Sequence, residues 1–315
     1  MQERSRLSSK GRRGAVAVFD VGTNTVLYLL MARCADGELV VLDEGFAPTR
    51  LGEGLARGER SAAAIARTVE ALASFVERIR RRGPAELKVV GTEVLRRGGW
   101  WKDFAAAVGI RLGLPVEVLS PEEEGTMALL AARRSLLLEA GPLAVVDVGG
   151  GSAQLTRERD GGPPAVASYA VGSVLLTEKF LGGVPSAEAW EITRSYVQGE
   201  LAPVGPAAGD VVVTGGTATT VATLKLALAE YDAARVHGCV VAASSTAALA
   251  ERVYFMRVRE RKRLVGMPAG RADVFPGGAL VMAEILTKLG AKNAVVSAQG
   301  VRFGVAYRYF DDEKR

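Results

Sequence analysis

The stretch Leu143-Ala144-Val145-Val146-Asp147-Val148-Gly149-Gly150-Gly151-Ser152 constrains this chain more than any other. An apolar, β-branched run delivers a carboxylate to three glycines, the pattern of a buried strand ending in a turn with almost no side-chain bulk. Glycines let successive backbone N–H groups converge and let an anion come close, as phosphate-cradling nests require. The aspartate can hold a hydrated divalent cation or orient water beside that phosphate. A plain tight turn after a core strand would look the same, so the decision falls to the rest of the chain. Two echoes answer it. Ala17-Val18-Phe19-Asp20-Val21-Gly22-Thr23 repeats the order strand, Asp, apolar residue, Gly, and Val211-Val212-Val213-Thr214-Gly215-Gly216-Thr217 is a third glycine turn behind a buried strand.

Around these turns the chain reads as two α/β halves of one design. Residues 15–19, 26–33 and 38–46 form a meander, followed by a helix from Ser61, strands at 87–90 and 116–119, and a helix from Trp100 to Leu112 between them. Ser120-Pro121-Glu122-Glu123 marks a helix start, with an N-cap, proline at the first position and an acidic first turn. That helix should run to about Leu138. Strands at 153–157 and 165–170 form a second meander after the central aspartate, and a helix begins near Ser173. A helix is expected over 219–228, further helices over 245–258 and 271–289, and a strand over 294–297. The expected organisation is a disordered basic tail at 1–14, a first domain at 15–122, a second at 123–303, and a last helix, 304–315, returning to the first. The Asp-Gly turns of both halves are expected to face a common cleft.

Composition narrows the chemistry. The 315 residues are 49% hydrophobic and 24% charged, which describes a globular chain large enough for two cores. No apolar run approaches the ~18 residues of a membrane span, and no signal peptide is expected. Of the net charge of +5, a balance of +4 sits in the first fourteen residues, where Arg4, Arg6, Lys10, Arg12 and Arg13 face only Glu3. The basic character therefore argues little for a nucleic-acid partner. Cys34 and Cys239 offer neither a disulfide framework nor a zinc cluster, and a cytoplasmic location is expected. His237 is the only histidine, which excludes multi-His metal sites and disfavours a Ser-His-Asp triad. No Walker A loop and no dinucleotide fingerprint is present. Chemistry must rest on carboxylates, backbone amides, arginines and a metal.

Six motifs in order, Asp20-Val21-Gly22-Thr23-Asn24-Thr25, Gly91-Thr92-Glu93-Val94-Leu95-Arg96, Pro121-Glu122-Glu123-Glu124, the central 147–152 turn, Gly172-Ser173-Val174-Leu175-Leu176-Thr177 and Gly215-Gly216-Thr217-Ala218-Thr219-Thr220, resemble the exopolyphosphatase / guanosine pentaphosphate phosphohydrolase family. The resemblance implies two duplicated ribonuclease-H-like domains of the actin and sugar-kinase superfold. It implies removal of terminal phosphate from inorganic polyphosphate or guanosine pentaphosphate, with Mg²⁺ or another divalent cation. Partners would be polyphosphate or guanosine penta- and tetraphosphate, and a homodimer is one arrangement short members adopt. Glu124 matches the family's catalytic glutamate, with Asp147 organising metal and water. Gly149, Gly150, Gly151, Ser152, Gly215, Gly216 and Thr217 would bind phosphate oxygens through backbone amides. Asp20, Gly22, Thr23 and Asn24 would line the opposite wall, and Arg96 would pair with phosphate. Arg302 and the basic run 257–263 are further candidates for contact with a polyanion. His237 is expected to pack.

The chain also departs from the family pattern. Gln154 stands where a glutamate is usual, Thr126, Leu27 and Leu175 where arginines are common, and Ala298 where an aspartate commonly follows Ser297. Each change removes a charge. Two readings follow: a metal-dependent hydrolase with a shortened carboxylate set, or a relative that binds phosphorylated ligands and turns them over weakly.

Overall fold

The computed structural model describes residues 12–59, 61–96 and 101–313. Most of the basic tail lies outside the described residues, as does Trp100; the first strand already begins at Arg12. The chain divides into two compact units. One comprises Met1–Leu51, Ser61–Leu119 and Val301–Arg315, the other Gly52–Arg60 and Ser120–Gly300.

In the first unit, β1 (Arg12–Val21), β2 (Val26–Cys34) and β3 (Leu39–Ala47) form the antiparallel meander, and β4 (Glu86–Gly91) and β5 (Val116–Val118) add parallel to β1. The sheet order is β3-β2-β1-β4-β5. Helix α1 (Ala62–Arg80) starts where the Ser61 hydroxyl accepts the Ala64 N–H, and its apolar stripe Val69, Leu72, Val76 and Ile79 is buried. With α2 (Glu93–Arg96) and α3 (Trp101–Leu112) it covers a core around Phe19, Tyr28, Leu30 and Phe104. The C-terminal helix Val301–Asp312 packs on β1 and β2, where Arg33 donates to the Phe310 carbonyl and stacks on its ring.

The second unit repeats the plan. Helix α4 (Pro121–Ser135) opens on a full capping box between Ser120 and Glu123. Strands β6 (Leu143–Val148), β7 (Ala153–Arg157) and β8 (Ala165–Tyr169) form the meander. After α5 (Ser173–Leu176) and α6 (Ala187–Glu200) comes β9 (Asp210–Thr214), parallel to β6, and then α7 (Gly215–Lys225). Strand β10 (Val240–Ala242), α8 (Ala243–Tyr254), α9 (Phe275–Lys288) and β11 (Asn293–Val296) complete it. The order β8-β7-β6-β9-β11 matches β3-β2-β1-β4-β5, with β10 added antiparallel at the end. The fold class read from the sequence, two duplicated ribonuclease-H-like α/β domains of the actin and sugar-kinase superfold, is the one observed.

Several boundaries differ from the sequence reading. Helix α4 stops at Ser135, α7 starts at Gly215 instead of 219, and α9 starts at Phe275 instead of 271. Helix α6 and strand β10 were not anticipated. Helix α9 is buried at every position from Phe275 through Leu286, and Glu284 is its one charge there, so its sequence carries little face periodicity to mark its ends. Among the described residues, no helix is long and apolar enough to cross a membrane.

Candidate functional site

The repeat brings each aspartate to the same place in its own sheet. Asp20 sits near the end of β1, opposite Leu27 on β2, and Asp147 near the end of β6, opposite Gln154 on β7. Two of the positions that depart from the family pattern, Leu27 and Gln154, are thus structural equivalents. The turns match as well. Gly22 N–H donates to the Thr25 carbonyl at 3.1 Å, and Gly149 N–H to the Ser152 carbonyl at 2.9 Å.

In the first unit this turn buries Thr23, Asn24 and Thr25. The Asn24 side chain donates to the Thr25 hydroxyl at 3.4 Å, and the Asn24 backbone carbonyl accepts from Arg50 N–H. The Thr23 and Asn24 N–H groups donate to nothing among the described residues. Thr92 holds the neighbouring strand end through its N–H to the Val21 carbonyl. Arg96 donates to the Leu119 carbonyl, tying α2 to the end of β5. Arg302 is ion-paired with Glu44 at 2.8 Å and stacked on Phe303. Both arginines therefore have structural work in this unit.

In the second unit Asp147 and Gln154 share one face of the sheet with Val145 and Thr156, because cross-strand partners point the same way. Helix α4 covers that face so closely that a Cβ on Gly125 would stand 2.4 Å from the Thr156 hydroxyl. One position earlier, Glu124 is 4% exposed and accepts a hydrogen bond from the Gln154 amide, itself 8% exposed. A buried carboxylate and a buried amide are thereby satisfied by one another. Glu122 and Glu123 are exposed; Glu123 closes the capping box, so the three acids divide between helix initiation and a buried position.

Asp147 meets a different neighbourhood. Burial pushes its carboxyl up to about 6, against the pull of the Arg271 guanidinium. Burial in turn lowers Arg271, with Asp147 opposing. The two glycines of the third turn make room for both. A Cβ on Gly215 would lie 2.3 Å from Asp147 Oδ1, and one on Gly216 1.8 Å from Arg271 Nη1. Gly215 also has φ +84°, open to glycine at no steric cost. Helix α7 begins here with no side-chain cap: the Thr214 hydroxyl is turned to the Ser297 carbonyl instead. Its first amides are left for another acceptor. Across β6, the carbonyls of Gly149 and Gly150 accept N–H groups of α5, whereas the Gly150 and Gly151 N–H groups donate to nothing among the described residues. Ser152 and Thr217 are buried beside them.

Arg271 was not anticipated from the sequence. It lies in the Ala269-Gly270-Arg271-Ala272 lead into α9, more than 120 residues from Asp147, and no local spacing marks it. The basic run at 257–263 divides: Arg261 is buried and donates to the Val253, Tyr254 and Ala272 carbonyls, while Arg259, Lys262 and Arg263 are exposed. His237 bridges Ser135 and Ala298, accepting from Ala298 N–H at Nδ1 and so donating from Nε2 to the Ser135 carbonyl. That is the packing role expected of it. Thr126 bonds within its own helix, to the Glu122 carbonyl, and Leu175 is buried. Among the described residues no three His, Cys, Asp or Glu side chains cluster to hold a metal.

Comparison with known proteins follows the same lines. The model of the Ppx/GppA phosphatase family matches residues 30–313. Exopolyphosphatase 2 of Mycobacterium tuberculosis is 31% identical over 309 residues, covering 92% of this chain and 97% of that protein. The crystal structure of the Aquifex aeolicus Ppx/GppA family member is 30% identical, with a TM-score of 0.80 over 96% of this chain and 99% of that one. An exopolyphosphatase structure from Cytophaga hutchinsonii, 19% identical with a TM-score of 0.84 over 95% and 98%, shares the fold. With a family model spanning nearly all of its length and relatives matched end to end, the chain belongs to the Ppx/GppA phosphatase family.

Proposed function

We propose that this protein is a phosphoanhydride hydrolase that releases terminal phosphate from inorganic polyphosphate or guanosine pentaphosphate. The observation that carries this reading is the pairing, in one unit, of two sets of uncapped backbone amides with a buried glutamate. The 150–151 turn and the start of α7 present donors that no group among the described residues takes, as a phosphate site requires. Glu124, fixed by the Gln154 amide, is the only one of the three acids at the start of α4 that is buried, and it is the general base in this proposal. It takes the proton of a water whose oxygen bonds to the terminal phosphorus. The bond from that phosphorus to the bridging oxygen breaks, and the shortened chain leaves with that oxygen and its charge. The amides of Gly150, Gly151, Gly216 and Thr217, with Arg271, offset the charge spread over the equatorial oxygens.

A divalent cation fits this donor set in a limited way. Asp147, a carboxylate that burial disfavours in its charged form, and Glu124 would hold Mg²⁺, which commonly takes one or two carboxylates and leaves its other positions to phosphate and water. Bound there, it would neutralise phosphate charge. The amide at Gln154 in place of a third acid supports a second reading, in which the protein binds polyphosphate or an alarmone nucleotide and hydrolyses it slowly.

Phosphate release from long-chain polyphosphate and from guanosine pentaphosphate, with Mg²⁺, separates the two. The hydrolase reading expects turnover by the wild type and a loss of about a hundredfold or more in Glu124→Gln. Release that survives Glu124→Gln removes the base assignment. Tight nucleotide binding without release by the wild type establishes the second reading.

A further inference from the structure

A cavity of about 570 Å³ in the second unit opens beyond the glycine turns along the far half of α7. Its apolar walls are Val221 and Leu224 of α7, Val241 of β10, Leu249 of α8, and Leu264 and Val265 from the segment before α9. The volume is that of an ordinary small-molecule site. Val265 is 56% exposed, so part of the apolar wall is turned to solvent. Among the described residues two cations line it, Lys225 and Arg252, and no carboxylate does. Lys225 is anchored by its ammonium on the Val240 carbonyl. Arg252 is exposed and makes no hydrogen bond or ion pair among the described residues. Hydrogen-bonding groups are otherwise scarce: besides Ser245 there is the Thr246 hydroxyl, already given to the Ala242 carbonyl at 2.9 Å.

We infer that this groove binds a small amphipathic organic anion, an acyl or aryl body seated on the apolar walls and one acidic head between Lys225 and Arg252. The chemistry of the lining selects this class. A neutral hydrocarbon would leave both cations without a counter-charge, and a nucleotide base would find almost nothing to read it. One acidic head answers the two cations, and an apolar tail answers the walls. The groove lies about 9 Å to 15 Å along α7 from Gly215, at 1.5 Å per residue, so it is a site separate from the phosphate turns.

The test reads binding alone and stands or falls apart from the hydrolase reading. Anilinonaphthalene sulfonate, an aryl anion whose fluorescence rises in apolar surroundings, is titrated into the full chain. Arg252→Glu and Val265→Asp, both at exposed positions, are compared after their melting temperatures are matched to the wild type. Expected is saturable one-site binding, weakened about tenfold or more by either variant, where attraction becomes repulsion or the wall becomes charged. Decanoate should displace the probe, and decanol at equal concentration should not. Unsaturable binding, an Arg252→Glu affinity equal to the wild type, or equal displacement by decanol would each overturn the inference.

Discussion

Replacing Gln154 by glutamate restores the acid that the family pattern expects and tests the site at its most constrained contact. In the wild type the Gln154 amide donates to the Glu124 carboxylate, with both side chains buried. Gln154→Glu removes the donor, which costs about 2 kcal/mol for a bond to a charged group. It also places two carboxylates within about 4 Å, repelling by about 4 kcal/mol at an effective dielectric near 20. The pair can escape by keeping one proton. From a reference pKa of about 4.3, holding that proton costs about 5 kcal/mol at pH 8 and about 1 kcal/mol at pH 5. The pair's upper pKa in the folded state is thus raised, and its contribution to stability is lost as pH rises. Relative to the wild type in EDTA, the variant should lose about 5 kcal/mol near pH 8, on the order of 10 °C in melting temperature for a unit this size, and only a few degrees near pH 5. Excess Mg²⁺ at pH 8 should recover most of the loss by supplying the missing positive charge, and calorimetry should show tighter Mg²⁺ binding. Equal melting temperatures for variant and wild type at pH 8 in EDTA would refute the buried Glu124–Gln154 contact. A loss at pH 8 that Mg²⁺ leaves untouched would refute the metal assignment.

Three further outcomes follow from the same geometry. Gly216→Ala places a Cβ where Arg271 Nη1 now lies, so the guanidinium, the movable end of a long side chain, must leave; phosphate release should fall about tenfold or more while the melting temperature drops by only a few degrees, and unchanged turnover would remove Arg271 from the site. Asp147 has a carboxyl raised to about 6 by burial, so its share of folding stability is fully present below its ordinary 3.8 and lost as pH rises through about 6. Mg²⁺ affinity should accordingly weaken about tenfold per pH unit below about 6 and level off above it, and calorimetry on Asp147→Asn should show that limb gone. Burial alone would raise Asp43, but the hydrogen bond and charge of Arg78, with Arg82 and the Tyr28 hydroxyl, hold it below 3.8. That stability is present above 3.8 and lost as pH falls through the lower folded value, so Asp43→Asn should melt lower at neutral pH, by about 1–3 kcal/mol, and converge with the wild type in acid.

What the sequence shows and hides follows from where the information lies. The three glycine turns were readable because a β-branched run and a missing side chain sit within ten residues of each other, in two of them with an aspartate between. Gln154 stood out in the sequence only as a departure from the family pattern; it is Asp147's neighbour because a four-residue turn between antiparallel strands fixes a spacing of seven, the same that separates Asp20 from Leu27. The start of α7 was misplaced by four residues because Gly215, Gly216 and Thr217 are poor helix formers; their place in the helix is set by Asp147 and Arg271 packing against them. Arg271 was invisible for the same reason. Its partner is set by tertiary packing across more than a hundred residues, and an isolated arginine before an apolar helix looks like any exposed charge.

The duplication also bears on where the proposed chemistry would reside. Both copies keep the strand, the aspartate and the turn whose glycine N–H closes on a carbonyl three residues later. Only the second sets a polar side chain, Gln154, opposite its aspartate; the first sets Leu27 there. The second joins that side chain to a buried glutamate at the start of a helix and sets Arg271 against its aspartate. A leucine beside Asp20 can neither donate to a base nor accept from water, so on the proposed reading the first copy contributes amides suited to gripping an anion and the second contributes the base. The proposed hydrolysis needs both functions, and the base is assigned to the second unit. On this proposal the phosphate grip belongs to the repeated turn, whereas turnover rests on Glu124, held by its hydrogen bond from Gln154.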